Sequence, residues 1–204
     1  MKKIIALLLA LVCVVGLTAC GQETGPDGND LDEFTAAVAA ADPASAELET
    51  KVSSTTFGVS LEGVYNIAYN EDGSATVSYT YEQLRLIGDD VAVGDGIKET
   101  VEGVATVAAD GTVTVTEGNG SVGAQITAVA GIKLNLNASK MTYTVSAGML
   151  SATVKAADTA AVFGTAISAD VNLVLTVANG AVSAITVTYN TADGQAEIVC
   201  LYNY

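Results

Sequence analysis

Apolar and polar residues alternate along most of the chain beyond residue 44. Ala46, Leu48, Thr50 and Val52 alternate with Glu47, Glu49, Lys51 and Ser53, the period-two signature of a strand with one dry and one wet face. Tyr65, Ile67 and Tyr69 form a second stripe, and Ala75, Val77, Tyr79 and Tyr81 a third. Glu71-Asp72-Gly73 lies between these two. With Gly73 left-handed in a three-residue loop, Tyr69 faces Ala75, Ile67 faces Val77 and Tyr65 faces Tyr79. A two-residue Asp72-Gly73 loop would set Tyr69 against Thr76 and turn the apolar stripe to the wrong face. The three-residue loop is therefore expected.

The same device recurs. Ala109-Asp110-Gly111 joins a strand around 98–108 to one at 112–116, pairing Val107 with Val113 and Ala105 with Val115. Ala147-Gly148 as a two-residue loop pairs Val145 with Leu150 and Tyr143 with Ala152. Asn179-Gly180 turns a strand at 171–177 into one at 182–190. Asp193-Gly194, read as a two-residue turn, pairs Tyr189 with Ile198, Val187 with Cys200 and Ile185 with Tyr202. Stretches around 122–129 and 132–137 read as two further strands. The expectation is a mainly β chain, an antiparallel meander of about ten to twelve strands forming a curved sheet or half-open barrel.

One helix precedes the sheet. Leu31, Phe34, Val38 and Ala41 recur at helical spacing, Asp30 suits the N-cap, Asp32 and Glu33 suit the positive end of the dipole, and Pro43 ends the run. The helix is too short to stand alone and must pack on something. Two segments break the alternation. Residues 82–97, with Asp89, Asp90 and Asp95 among glycines, read as a long loop. Residues 156–168 suit a short helical turn starting at Asp158.

The N-terminus follows a different pattern. Lys2 and Lys3 precede an uncharged apolar run, Ile4–Val15, which is shorter than the roughly 20 residues of a membrane span. It closes on Leu17-Thr18-Ala19-Cys20, which resembles the bacterial lipobox. The resemblance implies that residues 1–19 are a signal peptide removed by cleavage. Cys20 then becomes the lipidated mature N-terminus, and the protein is held extracytoplasmically on the bacterial cell membrane through its acyl chains. Residues 21–30, GQETGPDGND, are polar and glycine-rich, a flexible tether after Cys20 with a typical span under about 20 Å. Residues 31–204 are enough for a single domain.

Composition narrows the partners. Every one of the 23 Asp and Glu lies after Cys20, and two of the eight Lys and Arg lie in the signal, so the mature chain carries six cations against 23 anions, a net −17. Such a body is repelled by anionic lipid, which leaves attachment to the acyl chains, and it has no basic patch for nucleic acid. Cys13 leaves with the signal and Cys20 takes lipid, so Cys200 has no intrachain partner and reads as a small core residue. With no His, the Ser-His-Asp and Cys-His chemistries and His-ligated zinc are unavailable. With no Trp, stacking on sugars is poorly served.

Few residues point to chemistry. Asp27–Glu33 is rich in carboxylates, but an EF-hand would need an oxygen ligand at Leu31 and glycine at 32. The loop holding Asp89, Asp90 and Asp95 matches no calcium motif. A glycosidase would need two carboxylates held in one cleft, and no spacing marks such a pair. Tyr65, Tyr69, Tyr79 and Tyr81 share one face of one hairpin, either as an ordinary sheet face under the helix or as ligand-facing residues of an aromatic cavity.

The order of parts, a helix at Leu31–Ala41 and then a long antiparallel meander, resembles the lipoprotein-carrier family. The resemblance implies a half-open barrel with helices as a lid. It rests on architecture and carries over no functional residue. The expected function is a non-enzymatic, cofactor-free protein binding an apolar or amphiphilic ligand such as a lipid. The alternative is a structural or adhesive cell-surface module with a closed core.

Overall fold

The computed structural model describes residues 29–85 and 98–204. The lipobox, Cys20 and most of the tether lie outside these residues, as do Asp89, Asp90 and Asp95. Helix α1 spans Asn29–Ala39. Its buried stripe is Leu31, Phe34 and Ala37, with Val38 half-buried. The helix starts one residue before Asp30, the expected cap, within the ordinary spread of helix ends. Pro43, buried beyond it, marks the turn into the sheet.

Ten strands follow: β1 Ser45–Ser54, β2 Val59–Tyr69, β3 Ala75–Leu84, β4 Lys98–Val107, β5 Val113–Gly118, β6 Met141–Ser146, β7 Met149–Val154, β8 Val171–Ala178, β9 Ala181–Thr191 and β10 Gly194–Asn203. They form one antiparallel sheet in the order β5-β4-β3-β2-β1-β10-β9-β8-β7-β6. The chain thus runs outward through one five-strand meander, crosses to the far edge and returns through a second. The first and last strands, β1 and β10, pair in the middle. The edges β5 and β6 do not pair, so the sheet is not closed.

One side of this sheet is dry. A row of facing residues runs from Tyr79 through Tyr65, Leu48, Cys200, Ile185, Leu175 and Leu150 to Val145, with every neighbouring pair in register. Leu48, Cys200, Ile185, Leu175 and Leu150 in that row have no exposed surface. The Cys200 thiol, free and buried, is pushed up to about 12 by desolvation, which suits a packing residue. The opposite side carries Glu47, Glu49, Lys51, Ser78 and Thr80 toward water. Val174, Val199 and Leu201, the apolar residues on that side of their strands, are only half-buried.

Three of the hairpin registers follow the turns as expected, including Tyr65 opposite Tyr79 and Val107 opposite Val113, and the expected Asn179-Gly180 turn joins β8 to β9, with a bulge at Thr176/Val177. The last one differs. The β9–β10 turn is Ala192-Asp193, not Asp193-Gly194, so Val187 faces Ile198 and Ile185 faces Cys200, two residues from the expected register. A shift of two keeps the same face buried, which is why hydrophobic pattern cannot detect it. Two contacts decide it. Asp193 is held in the loop by the β1–β2 turn, its carboxylate accepting from the Ser54 hydroxyl, the Thr56 hydroxyl (2.6 Å), the Thr55 hydroxyl (2.8 Å) and the Thr56 N–H (2.8 Å). Gly194 passes so close to β1 that a Cβ there would lie 2.1 Å from the Ser53 carbonyl oxygen.

Those hydrogen bonds, Ser54's first, hold the Asp193 carboxyl below the usual carboxylate range. A depressed folded-state pKa contributes stability above the unfolded value of about 3.9 and loses it as pH falls below that. Asp193→Asn should therefore lower the melting temperature at neutral pH and flatten its fall in acid. Parallel melting curves for the two proteins across the acid range would contradict this.

The other departures lie in the crossover between β5 and β6. Residues 122–129 are not a strand: helix α2 spans Ala124–Ala130 between Gly123 and Gly131. Residues 132–137 keep their alternation, with Ile132, Leu134 and Leu136 buried, but join no ladder. A short apolar run does not declare its period. Helix α2 reaches β1 and β10 in the middle of the sheet and joins no ladder, so its backbone polar groups need partners of their own. A helix supplies most of them internally. The segment at 156–168 holds a short helical stretch as expected, a 3-10 turn Ala156–Asp158 leading into α3, Thr159–Phe163, which ends at Gly164. Asp158 does not cap it but takes the Lys140 ammonium at 2.8 Å.

Candidate ligand pocket beneath the crossover helix

The dry face needs a cover, and three elements share the work. Helix α1 lies on β8 and β9, α2 reaches β1 and β10, and α3 touches α2. The tyrosine hairpin β2–β3 is consequently not covered by the N-terminal helix but by the crossover.

Tyrosines tie that crossover down. The Tyr65, Tyr79 and Tyr81 rings lie 5.8–6.3 Å apart by centroid. They fit because glycines face them: Gly63 is opposite Tyr81 and Gly103 opposite Tyr79. A Cβ on Gly103 would come within 2.6 Å of the Tyr79 hydroxyl oxygen. At the N-terminal side of α2, Tyr79 Oη donates to the Asn119 carbonyl (2.8 Å) and Tyr81 Oη accepts from the Ser121 N–H (3.2 Å). At the C-terminal end, Tyr69 Oη donates to the Ala130 carbonyl and Tyr202 Oη to the Val129 carbonyl. A helix leaves its last carbonyls without intrahelical partners: Tyr69 supplies a bond to the Ala130 carbonyl, and Tyr202 adds a second to the Val129 carbonyl, which also accepts from the Ile132 N–H (3.0 Å). Burial raises Tyr65 to about 12 and Tyr69 and Tyr202 further, so all three stay neutral at any physiological pH.

Tyr202→Phe should thus destabilise the fold by about 0.5–1.5 kcal/mol, the net contribution of one hydrogen bond, because the Val129 carbonyl keeps the Ile132 N–H at 3.0 Å. Urea titration measures it. A change below a few tenths of a kcal/mol would mean that the Ile132 N–H alone satisfies the Val129 carbonyl.

Between the hairpin and the strapped helix lies a pocket of about 340 Å³. Ile67, Ala75 and Val77 form its floor, Thr127 and Ala128 of α2 its roof, and Phe163 of α3 its far wall. The lining is chiefly apolar. Asp110 and Lys133 stand at the rim. The Lys133 ammonium donates across it to the Ala109 carbonyl (3.1 Å). The Asp110 carboxyl is held below its usual range, mainly by the Thr112 N–H at 2.8 Å and to a lesser extent by Lys133. A pocket of this size sits at the lower end of the range for small-molecule sites, roughly 300–1,000 Å³.

Of the four tyrosines singled out in the sequence, Tyr69 alone lines this pocket. Tyr65 and Tyr81 line a second, of about 230 Å³, together with Thr50, Gln125 and Tyr189. Tyr79 belongs to neither. Sequence reasoning missed the roof altogether, and missed Tyr202 as a tether. The paired glycines at 123 and 131 were the available signal for α2, and glycines within strands, at 63 and 103, were the signal for the ring positions. Among the described residues no group of three or more Cys, Asp or Glu is placed to hold a metal ion.

No family model matches the chain, and no curated protein matches it. Among solved structures it is similar to the crystal structure of LprF from Mycobacterium bovis, at 10% identity and a TM-score of 0.44. The alignment covers 87% of this chain and 93% of that one. At that identity no residue role transfers.

Proposed function

We propose that this is a lipid-anchored extracytoplasmic protein that binds an apolar or amphiphilic small molecule, without catalysis, in the pocket beneath α2. The pocket carries the reading. Much of the dry face is packed to zero exposure, yet beside α2 about 340 Å³ of apolar-walled space is left open at a rim with two charged groups. An apolar body with a polar end matches that division. The anchor rests on the N-terminal sequence, where Leu17, Thr18 and Ala19 precede Cys20. No helix among the described residues is long and apolar enough to cross a membrane.

The test is binding of a hydrophobic fluorophore, N-phenyl-1-naphthylamine, to the mature chain carrying Cys20→Ser, which removes the acyl chains and leaves every described residue in place. One probe per protein is expected. Ala75→Leu, which fills the floor of the pocket, should weaken it more than tenfold, since displacing two buried methylenes' worth of contact costs about 1.6 kcal/mol. A protein that melts cooperatively but binds no probe would favour the structural or adhesive module instead.

A further inference from the structure

The two pockets share one wall. Among the described residues lining them, Ile126 of α2 is the single residue common to both. It is half-buried and lines both the pocket that Tyr69 lines and the one that Tyr65, Tyr81 and Tyr189 line. The backbone carrying it is tied on both sides, to Tyr79 and Tyr81 before the helix and to Tyr69 and Tyr202 at its end. Whether the two spaces communicate therefore depends on the side chain at 126 and not on lifting of the helix. A β-branched residue in a helix has essentially one χ1 well, so it cannot swing aside cheaply.

We propose that Ile126 is the specificity-determining residue for ligand length: it stops an alkyl chain entering at the Asp110–Lys133 rim from continuing into the second pocket. The inference rests on the binding reading above and adds to it a stop at a defined point. Until its tip meets Ile126, each methylene added to the ligand is buried and tightens binding about fourfold. Beyond that point further methylenes stay in water and add nothing.

The experiment is a competition series against N-phenyl-1-naphthylamine, using linear saturated fatty acids lengthened one methylene at a time, each below its micellar concentration. The wild-type pocket, again in the Cys20→Ser chain, should show affinity rising about fourfold per methylene to a break and then a plateau. Ile126→Ala should move the break to longer chains and Ile126→Val should move it less. Adding Val52→Phe, which fills the second pocket, to Ile126→Ala should restore the original break. Melting curves establish folding, and Ile126→Val carries the test if Ile126→Ala does not fold. An unmoved break in the folded variants overturns the role of Ile126 and leaves the pocket reading standing. No binding at any chain length by the wild-type pocket overturns both.

Discussion

A Cys20→Ser chain is expected to take up no palmitate when cells are fed an alkyne-tagged fatty acid, whereas the wild-type chain is labelled and loses residues 1–19. The expected effect is all or none because the anchor proposal assigns one atom, the Cys20 sulfur, as the acceptor. Two acyl chains hold a protein stably, at about 0.8 kcal/mol per buried methylene, where one chain is marginal. Nothing else in the mature chain replaces them: a body with a net charge of −17 is pushed away from anionic lipid. Replacing residues 1–20 with an ordinary cleavable secretory signal should accordingly move the protein to the soluble extracytoplasmic fraction. Label on the Cys20→Ser chain, or continued sedimentation of the signal-swapped chain with membranes, would defeat the anchor assignment.

The second large effect is expected at Phe34. Its ring is 1% exposed and belongs to the core that α1 makes with the sheet. Phe34→Ala should lower the unfolding free energy by about 3–5 kcal/mol, the transfer loss of a buried ring plus the cavity it leaves. That is a large share of the roughly 5–15 kcal/mol that holds a domain together. An eleven-residue helix has no stability of its own in water, so the loss should appear first as faster hydrogen exchange at α1 amides. Urea titration gives the total. A loss under about 1 kcal/mol would mean that α1 is a detachable cover and not part of the cooperative core.

These two predictions draw on different kinds of information. The proposal for Cys20 rests on local order alone: charge, apolar run, small residues, cysteine. Phe34 is legible as a helix position, yet its place on β8 and β9 was not, since helical periodicity says which face is buried and nothing about what buries it. The tyrosines behave likewise. Their common face followed from the Glu71-Asp72-Gly73 turn, and the pairing of Tyr65 with Tyr79 is as expected. That Tyr69 would hold the end of α2, while Tyr65 and Tyr81 border a different space, depends on a helix sixty residues away in the chain.

By itself the sequence determined the ten strands that form, most of their registers and the buried face, and it carries the motif on which the proposed anchor rests. Each follows from a period of two, a turn of fixed length, or a short contiguous motif, all of which act between near neighbours. The tertiary structure decided the rest. It joined β1 to β10, shifted the register of the last hairpin by two residues through Asp193 and Gly194, and folded residues 124–130 as a helix over the tyrosines. Those outcomes come from contacts between distant segments, where several pairings bury the same face equally well and only hydrogen bonds and close packing separate them. The pocket is the sharpest case. It is a space between β2–β3, α2 and α3, and no segment of the sequence contains it.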